Sequence, residues 1–142
     1  MGWYAERDQQ GNVVGLFRQL QPGRAEELLD DNHPDVVERA AARARIVREQ
    51  EINAERDAAL LAGVDWGGKR WHSDTTFQLH LTGLIAAFEA GILPANAAVP
   101  VRTRDNTIEQ LDGTQLKQLA GAVLLKVQQV WAASWAAKDA LG

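Results

Sequence analysis

The stretch of sequence that decides the fold is residues 34–63, PDVVERAAARARIVREQEINAERDAALLAG. It has no glycine or proline between its first and last residues. Before it, residues 31–35 (DNHPD) combine polar capping residues with a proline that suits the first helical turn and an acid that complements the helix dipole. Gly63 is the natural C-terminal cap. The stretch therefore predicts a helix from Pro34 to Ala62, about 43 Å long at 1.5 Å per residue.

Within this helix, residues recur at alternating spacings of three and four, the heptad pattern of a helix–helix contact. The heptad seam consists of Val37, Ala40, Ala44, Val47, Glu51, Ala54, Ala58 and Leu61. Either it packs within its own domain, or it pairs with another protomer. In a parallel dimer Arg43 would face Arg48 of the partner, whereas an antiparallel contact or a different oligomer avoids that clash. The sequence thus leaves a homo-oligomer open.

Residues 1–33 are predicted to form an N-terminal β-hairpin module. Trp3 and Tyr4 lead into the turn-rich residues 8–12, and residues 13–17 make a second strand-like run. A further turn signal, Gln21-Pro22-Gly23, follows. Residues 25–29 are then either a third strand that pairs back onto the hairpin or a helical turn.

Residues 64–142 are predicted to form a C-terminal α+β domain with two short hairpins. Gly67-Gly68 separates the first pair of strands, and residues 104–106 separate a second pair at 99–103 and 107–111.

Two helices complete this domain. Ser73-Asp74 caps the first, which Gly91 ends, and Asp112 with Gln115 forms a capping box for the second. The fold class is therefore α+β: an N-terminal β-hairpin module, a long connecting helix over residues 34–63, and two C-terminal helices packed on short antiparallel hairpins.

Composition excludes several classes of protein. The 142 residues are 46% hydrophobic and 24% charged, which is typical of a folded domain. No cysteine is present, so disulfides and thiolate metal sites are excluded. The net charge is −4, and the basic residues do not cluster into a stripe along the sequence. We therefore expect no nucleic-acid partner. No leader or apolar run long enough for membrane insertion is recognisable, so synthesis in the cytosol is expected.

Three polar clusters invite a chemical interpretation, but each has a simpler one. Residues 30–35 hold three aspartates and His33, which suit a helix start better than a metal site. His72-Ser73-Asp74 has the residue types of a hydrolytic triad without the surrounding nucleophile motif. Gly67-Gly68-Lys69 lacks the rest of a phosphate-binding loop. We therefore predict no catalytic residue, no metal site and no cofactor.

Aromatic residues instead indicate contacts with a partner. Five tryptophans is a large share, and tryptophan is enriched at protein interfaces. Trp131 and Trp135 lie one helical turn apart, while Trp3 and Tyr4 either hold the N-terminal hairpin or dock it on a partner. Core packing is the alternative for all of them. The predicted contact residues are Trp3, Tyr4, Val37, Ala40, Ala44, Val47, Ala54, Ala58, Leu61, Trp131 and Trp135.

An ordered set of motifs carries a family resemblance. The set is Ala54-x-x-Asp57-x-x-Leu60-x-x-Gly63-Val64, Trp66-x-Gly68-x-x-Trp71-x-Ser73-Asp74, Leu81-Thr82-Gly83, Arg102-Thr103-x-Asp105-Asn106 and Trp135-x-x-Lys138. With it, residues 52–141 resemble a domain of unknown function that recurs in tail-fibre and tail-accessory proteins of phages infecting Gram-negative bacteria. Residues 11–15 (GNVVG) and 29–36 (LDDNHPDV) are similar to the front ends of the same proteins.

The resemblance implies a non-enzymatic bacteriophage tail component, bound to tail-fibre or baseplate proteins. Such a protein is made in the host cytoplasm and ends in the virion tail. The alternative is a tail-fibre assembly chaperone that is absent from the mature virion. A hydrolase or metal enzyme is a third hypothesis, from a different class.

Overall fold

The computed structural model describes residues 2–142 and has the predicted α+β architecture. The elements in chain order are β1 (Gly2–Arg7), β2 (Val13–Phe17), β3 (Glu27–Asp30), α1 (Pro34–Ala62), β4 (Val64–Trp66), β5 (Lys69–Trp71), α2 (Thr75–Glu89), β6 (Ala98–Arg102), β7 (Ile108–Asp112) and α3 (Gly113–Asp139). No helix within residues 2–142 combines the length and the apolar character needed to cross a membrane.

The chain divides into two compact units, Met1–Gln50 and Glu51–Gly142, and the division falls inside α1. Each unit has a hydrophobic cluster of its own. The sequence instead predicted three segments, with the helix as a segment of its own: residues 1–33, 34–63 and 64–142. This three-part organisation stays a prediction.

A three-stranded antiparallel sheet forms most of the first unit, with β1 between β2 and β3. The open alternative for the segment after Gly23 is decided in favour of a strand, because β3 pairs with β1 along its length. Ala5 of β1, Leu29 of β3 and Val36 of α1 are buried together and form the small core of this unit.

The long helix has the predicted bounds, and the reason for its end is local. Gly63 adopts φ +88°, a conformation that L side chains rarely adopt. A Cβ atom at this position would also come closer to the carbonyl oxygen of Trp71 than real Cβ atoms do. Glycine therefore allows the chain to leave α1 and enter β4 directly.

Two hairpins follow in the second unit. The first pairs Val64 with Trp71 around Gly67 and Gly68, which both have positive φ angles. The second joins β6 and β7 through a turn in which Asn106 has a φ of 67°. Asparagine tolerates this left-handed conformation better than most residues, which is why the turn was recognisable in the sequence.

Helices α2 and α3 cover these hairpins with their apolar faces. Asp74 is the N-cap of α2, and Asp112 and Gln115 form the predicted capping box of α3 in both directions. The core of the second unit is formed by buried side chains from both helices and the hairpins: Trp71, Phe77, Leu81, Val101, Leu111, Leu116, Leu119, Val123 and Val127.

Candidate partner-contact surfaces

The heptad seam is exposed along its whole length. All eight of its residues are exposed, and the larger side chains Val37 and Leu61 are exposed by 53% and 61%. Between residues 37 and 47 every residue of α1 is exposed, including Ile46. The sequence left two arrangements open for the seam. The structure does not show the first of them, packing within its own domain.

A different face of α1 packs in the second unit. Ile52 is buried, and Leu60 packs against the core cluster. Arg56 lies with its guanidinium carbon 4.5 Å from the centre of the Trp131 ring and donates a hydrogen bond to Asn53. Because these residues are offset from the heptad positions, the seam stays outside while the helix is held by its other face.

The Trp131 and Trp135 rings form one feature at the surface of α3. Their ring centres are 5.9 Å apart, and Trp131 is half-buried beneath Arg56, whereas Trp135 is 53% exposed. Leu124, on the same side of the helix two to three turns earlier, is also exposed. The pair therefore has one anchored ring and one ring open to a partner.

Trp3 and Tyr4 lie on opposite faces of β1, because successive strand residues alternate. Trp3 packs against the small core, and the guanidinium carbon of Arg18 lies 3.6 Å from the centre of its ring. Tyr4 is paired with Phe17 on one side and with Leu28 on the other, which makes an apolar row across the opposite face. The two residues cannot act as a single contact site.

The acidic cluster before α1 is occupied by hydrogen bonds and ion pairs. Asp30 accepts the backbone N–H of Asn32 at 2.8 Å, and His33 Nδ1 accepts that of Asp35 at 3.1 Å. Arg7 bridges Asp35 at 3.0 Å and Glu27 at 2.6 Å. The hydrogen bond from Arg7 lowers the pKa of the Glu27 carboxyl, and the same pairs raise the pKa of Arg7.

The residues His72-Ser73-Asp74 do not form a triad. Ser73 is buried, and its hydroxyl donates a hydrogen bond to the carbonyl oxygen of Leu60. Asp74 accepts the backbone N–H of Phe77 at 2.8 Å, and His72 lies against the Phe77 ring. The sequence-based assignment of a cap is correct for Asp74, whereas Ser73 instead ties β5 and the following loop to α1.

The structure brings together two histidines that are eight residues apart in the sequence. His72 and His80 line a shallow pocket with Asp74, Thr76 and Arg102. Thr76 and His80 are one helical turn apart on α2, so the sequence places these two side chains together, whereas the approach of His72 depends on how the loop before α2 folds back. Among residues 2–142 no three His, Asp or Glu side chains are placed to hold a metal ion. The lining of the pocket combines imidazole, guanidinium and carboxylate groups with the apolar side chains of Phe77 and Val101.

Comparison with known proteins gives one finding. The family model described as "Domain of unknown function (DUF4376)" matches residues 41–142. Neither a curated protein nor a solved structure matches the chain.

Proposed function

Because the chain belongs to the DUF4376 family, which by its description has no assigned function, we propose a function from its residues and surfaces. The protein is a non-enzymatic component of a bacteriophage tail, associated with the tail fibre or the baseplate. It acts through protein–protein contacts, and it is made in the host cytoplasm before it joins the virion tail.

The observation that carries this proposal is the exposure of apolar side chains in regions that the chain itself leaves open. Val37, Val47 and Leu61 of the heptad seam are all exposed, as is Trp135 on α3. The seam residues lie on one face of α1, and an apolar surface that continues along a helix face is typical of proteins that bind other proteins. The motifs between residues 52 and 141 resemble those of phage tail proteins, and this resemblance supports a phage tail as the place where the contacts are made.

The polar clusters support a role without catalysis. Ser73 is buried with its hydroxyl committed to the Leu60 carbonyl, so it is not placed to attack a substrate. Asp74 holds the start of α2, and Asp35 is paired with Arg7. Each of these side chains has a structural task that explains its presence.

Mass spectrometry of purified virions tests the proposal. We expect peptides of this chain in particles of the phage that encodes it, at a constant ratio to the tail-fibre or baseplate proteins. Absence from mature particles would contradict the proposal. A chain that is missing from particles but raises the yield of soluble fibre on co-expression would instead be an assembly chaperone.

A pull-down from infected cells identifies the contact surface. Trp135→Ala removes an exposed ring from α3 and should weaken recovery of the tail partner without unfolding the protein. Leu79→Ala is the matched control, because Leu79 is an exposed apolar residue on α2. Equal recovery with both variants would exclude the Trp135 surface as the contact.

A further inference from the structure

We propose that the heptad seam of α1 pairs with the heptad seam of a second copy of this chain, with the two helices antiparallel. This inference goes beyond the proposed function, since it names the second copy as the partner of one defined surface and requires no tail protein. Of the surfaces that support the proposed function, the Trp135 surface would then remain for the tail partner, while Val37, Val47 and Leu61 would be covered by the second copy.

The seam has the length and the exposure that a helix pair requires. Its first and last residues, Val37 and Leu61, are about 36 Å apart along the axis at 1.5 Å per residue, or three to four heptads. Every seam residue is exposed. The packed face of α1 in the second unit, which includes Ile52, lies elsewhere on the helix, so a second helix can reach the seam without displacing that packing.

An antiparallel register matches the seam to itself without a gap. Aligning the centres places Val37 opposite Leu61 of the second copy and Val47 opposite Glu51 of the second copy. The two layers between them pair alanine with alanine, at positions 40 and 58 and at positions 44 and 54. Small side chains in the inner layers let the helix axes approach closely, while the larger apolar side chains close both ends.

The charges of α1 decide the orientation. Residues 39–48 contain four arginines and no acid, whereas residues 49–57 contain four acids and one arginine. Antiparallel helices place the basic half of each copy against the acidic half of the other, and their dipoles are also opposed favourably. Parallel helices would place like charges together.

The flanking positions can be followed charge by charge. In the antiparallel register Arg43 faces Asp57 of the second copy. Arg48 of one copy faces Arg48 of the other near the centre of the pair, and Glu51 of each copy lies beside these two arginines. The two glutamates balance the two arginines, and this central group would accommodate Glu51, the one charged residue of the seam. Arg48 and Glu51 each have an interaction within the chain already, and the sign of their charges is what favours the antiparallel orientation.

Sedimentation velocity on the purified full-length protein tests the pairing. We expect a concentration-dependent dimer. Ala44→Glu inserts a charge into an inner alanine layer and should weaken association at least tenfold. Ala42→Glu is the matched control, because Ala42 is also exposed but lies outside the seam. A monomer at all concentrations, or equal weakening by both variants, would overturn the proposal.

Charge exchange tests the orientation. Arg43→Asp and Asp57→Arg should each weaken the antiparallel dimer, and the two changes together in one chain should restore it. A parallel dimer predicts the opposite for the first variant, since Arg43→Asp would relieve the clash between Arg43 and Arg48 of the second copy. Strengthening by Arg43→Asp would therefore overturn the antiparallel arrangement.

Cross-linking gives an independent measure, because the chain has no cysteine. A mixture of Ala40→Cys and Ala58→Cys proteins should form a disulfide-linked pair on mild oxidation. Ala40→Cys protein alone should not, since the two introduced thiols would be far apart. Cross-linking of Ala40→Cys protein with itself would contradict the register. These measurements use the isolated protein, so their failure would leave the proposed tail function to its own test.

Discussion

At the scale of single residues, Gly63 is a position where both the backbone angle and the packing require glycine. It combines φ +88° with a close approach to the Trp71 carbonyl oxygen. Gly63→Ala forces an L side chain into the left-handed region, which costs about 1–2 kcal/mol, and also requires the carbonyl to move. We expect a loss of more than about 2 kcal/mol in the free energy of unfolding, measured by urea denaturation.

Two other glycines provide controls for this prediction. Gly67 also has a positive φ, but an added Cβ would meet nothing within 4 Å, so Gly67→Ala should show the backbone strain alone. Gly83 lies in α2 with open space around it, and Gly83→Ala should stabilise the protein by about 0.5–1 kcal/mol. If Gly63→Ala is as mild as Gly67→Ala, the close contact is not a constraint.

Asp8 is the residue through which we expect acid to act on the hairpin of the first unit. Its carboxylate accepts the backbone N–H groups of Asn12 and Gln10, each at 2.9 Å. The hydrogen bond from Asn12, foremost among these, lowers the pKa of Asp8 below its ordinary value. A lowered pKa in the folded state means that the stabilisation is present above the ordinary pKa and is lost as the pH falls through the lowered one.

We therefore expect the β1–β2 turn to loosen only below about pH 4, the ordinary range of an aspartate. The amide resonances of Gln10 and Asn12 in an NMR titration report this change. Asp8→Asn removes the titrating carboxyl and should abolish the transition at these two amides. An unchanged transition in this variant would assign the acid sensitivity to another group, such as Glu27, whose pKa is also lowered.

At the scale of elements, the start of α3 depends on a reciprocal pair. Asp112 accepts the Gln115 backbone N–H at 2.8 Å, and the Gln115 side chain accepts the Asp112 backbone N–H at 3.0 Å. Asp112→Ala leaves a first-turn amide without this acceptor and should cost about 1 kcal/mol of stability in thermal or urea unfolding.

Asp139, the last residue of α3, is the matched control for that substitution. A negative charge is unfavourable near a helix C-terminus, so Asp139→Ala should leave stability unchanged or raise it by a few tenths of a kcal/mol. Similar losses from both changes would mean that general charge, and not capping, decides the stability of α3.

At the scale of the whole molecule, the two units differ in the size of their cores. Three buried residues form the small cluster of the first unit, whereas nine form that of the second. Buried apolar area dominates folding stability, so we expect the first unit to unfold at a lower urea concentration than the second. Hydrogen exchange followed by mass spectrometry separates the two, because peptides report each unit individually.

Substitutions in each core should act on one transition only. Leu119→Ala removes a fully buried side chain and should destabilise the second unit by about 2–5 kcal/mol, and Leu29→Ala should lower the first transition alone. A single transition that both variants shift equally would show that the units unfold together.

Much of the fold could be read from the sequence because its signals act over a few residues. Pro34 and Gly63 define the ends of α1, Gly67-Gly68 makes a tight turn, and Asp112 with Gln115 starts α3. Each works through a fixed backbone angle or a hydrogen bond to a near neighbour. These elements therefore follow from the sequence wherever the rest of the chain lies.

The tertiary structure alone decided which surfaces are available. The heptad pattern of α1 did not reveal that the seam is exposed while Ile52 packs inward, nor that Ser73 binds the Leu60 carbonyl. The shared pocket of His72 and His80, and the position of Arg56 over Trp131, were equally hidden. Such contacts join residues from different elements, and only the packing of a common core, a sum of many weak long-range interactions, brings them together.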